Sequence, residues 1–256
     1  MRSLLAFTKK ECLEQLRSGR LTILAILFVL FGIMNPAVAK LTPWLLEAMA
    51  DSLAESGMTV TEVTVSALDS WTQFFKNMPV ALIVFVLMQS GAFAKEYEAG
   101  TLILPLTKGI ERFKVVLAKS GVLAALWTAC YFICFAVTYA YTAYFWDNSV
   151  AQNLGFSVVC WWIFGLLTLF LTVLFSTLVS TVSGVLMGTG ATVLAFYLLG
   201  LFPKIGKYLP ARLTEGKALV YGAMSTEAYA TALVITVLLS VICLTVSLIV
   251  FNKKQL

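Results

Sequence analysis

Side chains that could carry out catalysis or bind metal are scarce in this sequence. It contains no histidine, which excludes His-based acid–base catalysis, haem ligation by histidine and His-containing metal sites. The five cysteines form no Cys-x-x-Cys pair, and the nearest two, Cys130 and Cys134, lie one helical turn apart. Because two thiols alone make a poor metal site, we expect these cysteines to pack as small apolar residues.

The sequence also lacks the motifs of nucleotide hydrolysis and of intramembrane proteolysis. The phosphate-binding pattern GxxxxGK[ST] does not occur, since Gly206-Lys207 and Gly216-Lys217 lack both the upstream glycine and the following Ser or Thr. Intramembrane proteases need Ser with His, or Asp within the spans, and neither arrangement is present. We therefore predict that the chain is not an enzyme.

Composition places the chain in a membrane. Sixty per cent of the residues are apolar and 12% are charged, whereas soluble domains average about 45–50% apolar and about 25% charged. A chain with so little charge needs lipid as part of its solvent. The net charge of +5 is read here as the Lys and Arg bias of cytoplasmic loops, so we expect membrane lipid as a partner and no nucleic acid.

Uncharged stretches locate the spanning helices. Four stretches of 18 to 27 residues each fit one crossing, which needs about 20 residues. The 56 uncharged residues after Asp147 must fold back, and the small, polar stretch 176–190 is the natural break. We predict an all-α membrane protein, one transmembrane domain over 1–256, with spans at about 21–39, 78–95, 113–144, 155–180, 184–202 and 229–251. We expect no ionisable residue inside a span, which argues against an ion-coupled carrier.

The loop charges predict the orientation. Lys and Arg are concentrated in residues 1–20, in the loop between the second and third spans, and in the tail, whereas the loop between the first and second spans is acidic. Cytoplasmic enrichment in Lys and Arg therefore places both termini inside. The loop between the fifth and sixth spans disagrees, because it carries Lys204, Lys207, Arg212 and Lys217 and would lie outside.

The first twenty residues are predicted to form an amphipathic helix along the inner leaflet. Its apolar face would carry Leu5, Cys12, Leu13 and Leu16, and its polar face would carry Lys10, Glu11, Glu14 and Arg17. The alternative is a basic flank of the first span without a separate interfacial role.

The loop between the second and third spans contains a short apolar segment ending near Pro105, preceded by two carboxylates and a Gly-Thr pair. These features predict a short cytoplasmic helix that could dock into a groove of another protein. A plain connecting loop is the alternative from the residues alone.

The chain resembles the ABC-2 family of ABC exporter permeases. The resemblance covers essentially the whole chain and rests on the N-terminal helix, on Asn35-Pro36, on the segment 67–77, and above all on KEYEAGTLILPLTKGIERFKVVLAK at 95–119. That loop is similar to the family pattern E-x-x-x-G-T followed by a short helix, a Pro, an Arg and a Lys. It departs from the pattern at 108–112, where many relatives carry Pro-Val-Ser-Arg.

This resemblance implies that two copies of the chain assemble with two separate ABC ATPase subunits in the plasma membrane. ATP and Mg²⁺ would be bound by those subunits, so this chain itself needs no cofactor and no metal. The loop would be the coupling helix that contacts the ATPase, with Gly100 allowing a turn and Thr101 capping the helix after it. The residues assigned to coupling are Glu96, Glu98, Gly100, Thr101, Leu102, Leu104, Pro105 and Arg112.

The resemblance also implies a pathway between the two copies, lined by the second and fifth spans. The residues assigned to it are Phe85, Met88, Gln89, Phe93, Thr192, Phe196 and Tyr197. Such an apolar lining suits export of a hydrophobic or amphipathic substrate, including membrane-active or antimicrobial peptides. The alternative for these residues is packing between helices. The alternative for the protein is a six-helix membrane substrate-binding subunit without its own pathway.

Overall fold

The structure is a computed structural model that describes residues 2–49, 64–91 and 110–253, except the side chain of Arg2. The described residues form nine α-helices and no strand. The helices are α1 (Arg2–Arg17), α2 (Arg20–Ala48), α3 (Ala67–Gln89), α4 (Arg112–Phe145), α5 (Leu154–Leu178), α6 (Val182–Gly200), α7 (Pro203–Gly206), α8 (Gly216–Val220) and α9 (Glu227–Lys253). Two short 3-10 turns, Asn148–Val150 and Pro210–Thr214, lie in the connections between helices.

Six of these helices, α2 to α6 and α9, are long and apolar enough to cross a membrane. The predicted all-α fold with six spans is therefore confirmed. The long uncharged stretch after Asp147 breaks after Leu178, and α6 starts at Val182. The Thr181 hydroxyl caps α6 by accepting a hydrogen bond from the Gly184 N–H at 3.3 Å.

Two helices extend beyond the predicted spans. Helix α2 continues through Pro36 and Pro43 for 29 residues in all, or about 43 Å at 1.5 Å per residue, against a hydrocarbon core of about 30 Å. Helix α3 begins at Ala67 rather than near 78, because Ser66 and Asp69 cap it: the Ser66 N–H donates to Asp69 Oδ2 at 2.9 Å. The limits of an uncharged stretch therefore do not mark where a helix begins or ends.

An aromatic core joins α2, α3, α4 and α5. Phe28, Phe85 and Trp127 are fully buried and meet edge to face, with ring centroids 6.4 Å apart for Phe28–Phe85 and 5.5 Å for Phe85–Trp127. Helix α5 approaches this cluster closely at Gly165, where a Cβ atom would lie 2.2 Å from Trp127 Cζ2. Glycine is therefore required at this crossing, as is common where membrane helices pack tightly.

Buried polar side chains hold α2, α3 and α4 together. Asn35 Nδ2 donates to Thr138 Oγ1 at 3.0 Å, Asn77 Nδ2 donates to Asn35 Oδ1 at 2.7 Å, and the Thr138 hydroxyl donates to the Gly32 carbonyl at 3.2 Å. Lipid tails are as apolar as leucine side chains, so hydrogen bonds of this kind are a main cause of specific association between membrane helices.

Helix α6 is the least enclosed span. It buries Val185 and Thr189 and packs mainly on α5 and on the outer turn at Pro210–Thr214. Helix α9 lies along α5 on the other side. The bundle thus has a tightly enclosed half, α2 to α5, and a peripheral span at α6.

Replacing Gly165 by alanine tests the tight crossing. The added methyl group must displace the Trp127 ring, and overpacking of this kind typically costs about 1–3 kcal/mol. The free energy of unfolding in detergent micelles should fall by that amount. Gly155→Ala is the matched control on the same helix, since no described residue other than its neighbours lies within 4 Å of a Cβ atom there. An equal loss in both variants would contradict the packing described.

Candidate coupling site and substrate pathway

Most of the predicted coupling residues lie outside the described residues. They are Glu96, Glu98, Gly100, Thr101, Leu102, Leu104 and Pro105, together with Phe93 of the predicted pathway. The helices on either side are described, with α3 ending at Gln89 and α4 beginning at Arg112. Arg112 Nη1 donates to the Asn252 carbonyl at 3.4 Å, so the start of α4 lies beside the end of α9. The role of the predicted coupling residues stays a prediction.

Helix α1 is tied to α4 by a buried ion pair. Glu11 Oε2 and Lys119 Nζ are 2.8 Å apart, and the two side chains are 7% and 2% exposed. Charges removed from water are tolerated when they are paired and hydrogen-bonded. Two expectations were therefore wrong: Glu11 lies on the packed face of α1 rather than the polar outer face, and an ionisable residue, Lys119, is enclosed within a spanning helix.

Lys10 extends this ion pair toward the surface. Its Nζ lies 3.1 Å from Glu11 Oε1 and 3.0 Å from Glu14 Oε2. Partial burial of Glu14 acts to raise its pKa, but the hydrogen bond and positive charge of Lys10 more than offset this, so the pKa lies below its ordinary value. The Glu14 carboxylate therefore favours the ionised form that its pairing with Lys10 needs.

A second buried contact joins α1 to the end of α3. Gln15 Nε2 donates to Gln89 Oε1 at 3.1 Å, and Gln89 Nε2 donates back to Gln15 Oε1 at 3.3 Å. Gln89 is the last residue of α3, shortly before the predicted coupling loop. Helix α1 thus contacts the helices on both sides of that loop. We call α1, the end of α3 and the start of α4 the inner frame.

One face of α1 packs against the other helices, and the apolar face predicted from the sequence points away from them. Phe7, Glu11 and Gln15 are buried, and Phe7 packs in a cluster with Val115 and Phe251. Leu5, Leu13 and Leu16 are 69%, 40% and 54% exposed. The apolar face expected from the sequence is therefore free to meet lipid, and the location of α1 at the membrane interface stays a prediction.

The predicted pathway residues occupy different environments in the subunit. Phe85 and Gln89 are buried between helices, with 0% and 1% exposure, and Met88 packs against the aromatic core. On α6, the Thr192 hydroxyl donates to its own helix at Gly188 O, and Phe196 packs with the cluster around Leu167, Leu171 and Cys243. Phe85 and Gln89 thus make the helix-to-helix contacts that were the alternative for them.

A groove of about 350 Å³ with a mainly apolar lining lies between α3, α5 and α6. We call it the apolar groove. Of the predicted pathway residues, Tyr197 is among those that line it. Helix α3 contributes the face opposite the one expected, with Pro79, Ile83 and Leu87, and α6 contributes Gly190 and Leu194. The groove-lining residues are spaced three and four apart along each helix, so they share one face. The sequence-based assignment chose bulky and hydroxyl-bearing residues by type and did not consider this shared face.

Comparison with known proteins places the chain among membrane transporters. A family model described as "ABC-2 family transporter protein" matches residues 5–256. The chain is also 24% identical over 227 residues to the uncharacterized transmembrane protein YxlG of Bacillus subtilis (strain 168), an alignment that covers 84% of this chain and 83% of that protein.

Replacing Lys119 by methionine tests the inner frame. Breaking a buried ion pair costs about 3–5 kcal/mol, and we expect a loss near the lower value because Lys10 still balances part of the Glu11 charge. The measurement is the free energy of unfolding in detergent. Glu11→Leu combined with Lys119→Met should recover part of the loss, because the buried Glu11 carboxylate is removed together with the Lys119 ammonium.

The control is Lys114→Met on the same helix. Lys114 pairs with the exposed Glu111 at 2.8 Å, and such surface pairs contribute at most about 1 kcal/mol. If Lys119→Met destabilised the protein no more than Lys114→Met, the buried pair would not be the contact that holds α1.

Proposed function

The chain belongs to the ABC-2 family of transporter proteins, and from that premise we propose that it is the transmembrane permease subunit of an ATP-driven exporter. Two copies would form a pathway for a hydrophobic or amphipathic substrate, with membrane-active peptides among the candidates. A separate ABC ATPase would bind ATP and Mg²⁺ and supply the energy. The subunit would lie in the plasma membrane with both termini in the cytoplasm.

The inner frame is the observation that carries this proposal. The loop with Glu96 and Glu98 follows Gln89, the last residue of α3, and precedes α4, which begins at Arg112, seven residues before Lys119. Gln89 and Lys119 both contact α1 through buried polar groups. A force applied to the loop would therefore reach three helices together. Such an arrangement suits a loop that is pushed by another protein.

The energy source is placed outside the chain because the sequence contains no phosphate-binding loop. The enclosed Lys119 does not make ion coupling the energy source. Proton- and ion-coupled carriers need ionisable groups that face a water-filled route, whereas Lys119 is enclosed and paired with Glu11. We assign that pair to positioning α1, not to ion transport.

The placement of the pathway is supported by α6. Its outward face remains exposed at Met187 and Leu198, so it is available to a second copy, and its inner face lines the apolar groove with α3 and α5. An apolar groove that opens beside a peripheral helix fits a substrate that enters from the membrane rather than from water.

Charge reversal in the loop tests the proposal. Full-length chain purified from host membranes should bring with it an ATP-hydrolysing subunit, and Glu96→Lys with Glu98→Lys should abolish its recovery, because both carboxylates lie in the proposed docking loop. The measurement is ATPase activity in the purified fraction.

Glu227→Lys is the matched control, because Glu227 is an exposed carboxylate at the start of α9, on the opposite side of the membrane in the proposed topology. It should leave recovery unchanged. Recovery of no ATPase with the unaltered chain would instead favour a substrate-binding subunit without its own pathway.

A further inference from the structure

A second cavity adjoins the apolar groove at its outer end. This basic pocket, of about 500 Å³, is lined by residues that include Lys207, Arg212, Thr214 and Glu215. Tyr197 lines both cavities, and its hydroxyl donates to Thr214 Oγ1 at 3.2 Å. Both volumes fall within the range of about 300–1,000 Å³ found for ligand sites. Together they form an apolar compartment that ends in a charged one.

The charge of the outer segment is unusual for its position. Residues 201–226 contain four basic side chains, Lys204, Lys207, Arg212 and Lys217, and one acidic side chain, Glu215. In the proposed topology this segment lies outside, where Lys and Arg are not enriched. Within the basic pocket, Glu215 offsets one of the two cations, so a net positive charge remains. A positively charged pocket at this depth fits an anionic group.

Arg212 is held in place by its neighbours and still offers a donor. Its Nη1 pairs with Glu215, its Nη2 contacts Met224 Sδ at 2.8 Å, and its guanidinium lies over the Tyr229 ring at 5.1 Å. Its Nε is buried without a hydrogen-bond partner among the described residues. That nitrogen is enclosed, but Nη1 and Nη2 each carry a second hydrogen, so the guanidinium at the pocket can still donate to a phosphate oxygen. Lys207 is exposed at the same pocket.

The apolar groove also contains an unsatisfied polar atom. Thr189 lines the groove and is 2% exposed, and its hydroxyl has no partner in the part of the chain that the structure describes. By contrast, the Thr168 hydroxyl in the same groove donates to the Phe164 carbonyl at 3.1 Å.

We propose that the apolar groove and the basic pocket form one binding site for an anionic phospholipid of the phosphatidylglycerol class. An acyl chain occupies the groove, and the phosphate accepts hydrogen bonds from Lys207 and Arg212. This inference goes beyond the proposed transport function, because binding requires neither the ATPase nor a second copy. The phosphate could also come from a free anion, and the experiment separates the two sources.

The experiment measures thermal protection of the purified full-length chain in detergent, since a ligand that binds the folded state raises the unfolding temperature. The probes are dioleoyl phosphatidylglycerol, dioleoyl phosphatidylcholine and inorganic phosphate. We expect phosphatidylglycerol to protect at far lower concentrations than either of the others. Equal protection by phosphatidylcholine would overturn the requirement for a net anionic head, and equal protection by inorganic phosphate would overturn the requirement for an acyl chain.

Two variants address the two compartments separately. Lys207→Glu should raise the half-protecting concentration of phosphatidylglycerol about tenfold or more, because a charge-assisted hydrogen bond is replaced by repulsion. Lys217→Glu, a change of the same charge in the same segment at a residue outside the pocket lining, should have little effect. Equal effects of the two would indicate only a general response to charge and would overturn the site.

Gly190→Leu should obstruct the groove, because Gly190 lines it and a Cβ atom there meets no described residue within 4 Å. It should weaken phosphatidylglycerol binding about tenfold without altering the unfolding temperature in the absence of lipid. Gly121→Leu on α4, which is equally unobstructed, is the control. Unchanged lipid protection in both Gly190→Leu and Lys207→Glu would overturn the proposal.

Discussion

A lysine enclosed in a membrane-spanning bundle must keep its counter-charge, and this constraint determines how the end of the bundle beside α1 is built. Lys119 is nearly inaccessible and lies 2.8 Å from Glu11. Separating the two would leave charges in a medium where solvation is several kcal/mol poorer per ion. Helix α1 is therefore fixed against α4 by electrostatics as well as by packing at Phe7, and it cannot drift along the membrane surface as an independent amphipathic helix could.

Hydrogen bonds between side chains join α2, α3 and α4 more extensively than they join α6 to its neighbours. At the end of the bundle away from α1, Ser70 and Thr142 hydrogen-bond at 2.7 Å and Trp71 Nε1 donates to Asn148 Oδ1 at 3.0 Å. These contacts continue the links that Asn35 makes. Helices α2, α3 and α4 are thus joined along their length. Helix α6 has fewer such partners and borders both cavities. In the proposed exporter, the joined helices would carry motion from the loop, and α6 would be the span that a substrate or second copy meets.

The number and type of the spans were predictable because they depend on local hydropathy. A stretch without charge and long enough to cross the bilayer becomes a helix whatever surrounds it. The helix ends were less predictable, because α3 begins at the Ser66–Asp69 cap rather than where the charges cease. The location of the break between α5 and α6 was predicted from small and polar residues. Such residues cap helix ends through hydrogen bonds to backbone groups a few residues away, so the sequence itself indicates them.

The long-range contacts could not be predicted from one sequence. Glu11 and Lys119 are 108 positions apart, and Glu11 looks like any carboxylate on the polar face of a surface helix until α4 is placed beside it. The surroundings of the predicted pathway residues depend on helix packing in the same way. Residue type favoured Phe85 and Gln89, whereas the face of α3 that lines the apolar groove carries Pro79, Ile83 and Leu87. The pathway assignment stays a prediction.

The central claim is that α1 and α4 move as one body when the ATPase acts. Spin labels on Cys12 and on Phe113→Cys, both exposed positions, would report the distance between these helices by double electron–electron resonance in the purified complex with its ATPase. We predict that the distances within one subunit, seen when labelled chains are diluted with unlabelled Cys12→Ser chains, form one narrow distribution that is unchanged when ATP is added. A distribution that broadens or shifts with ATP would show that α1 separates from α4 during the cycle, and would contradict the account.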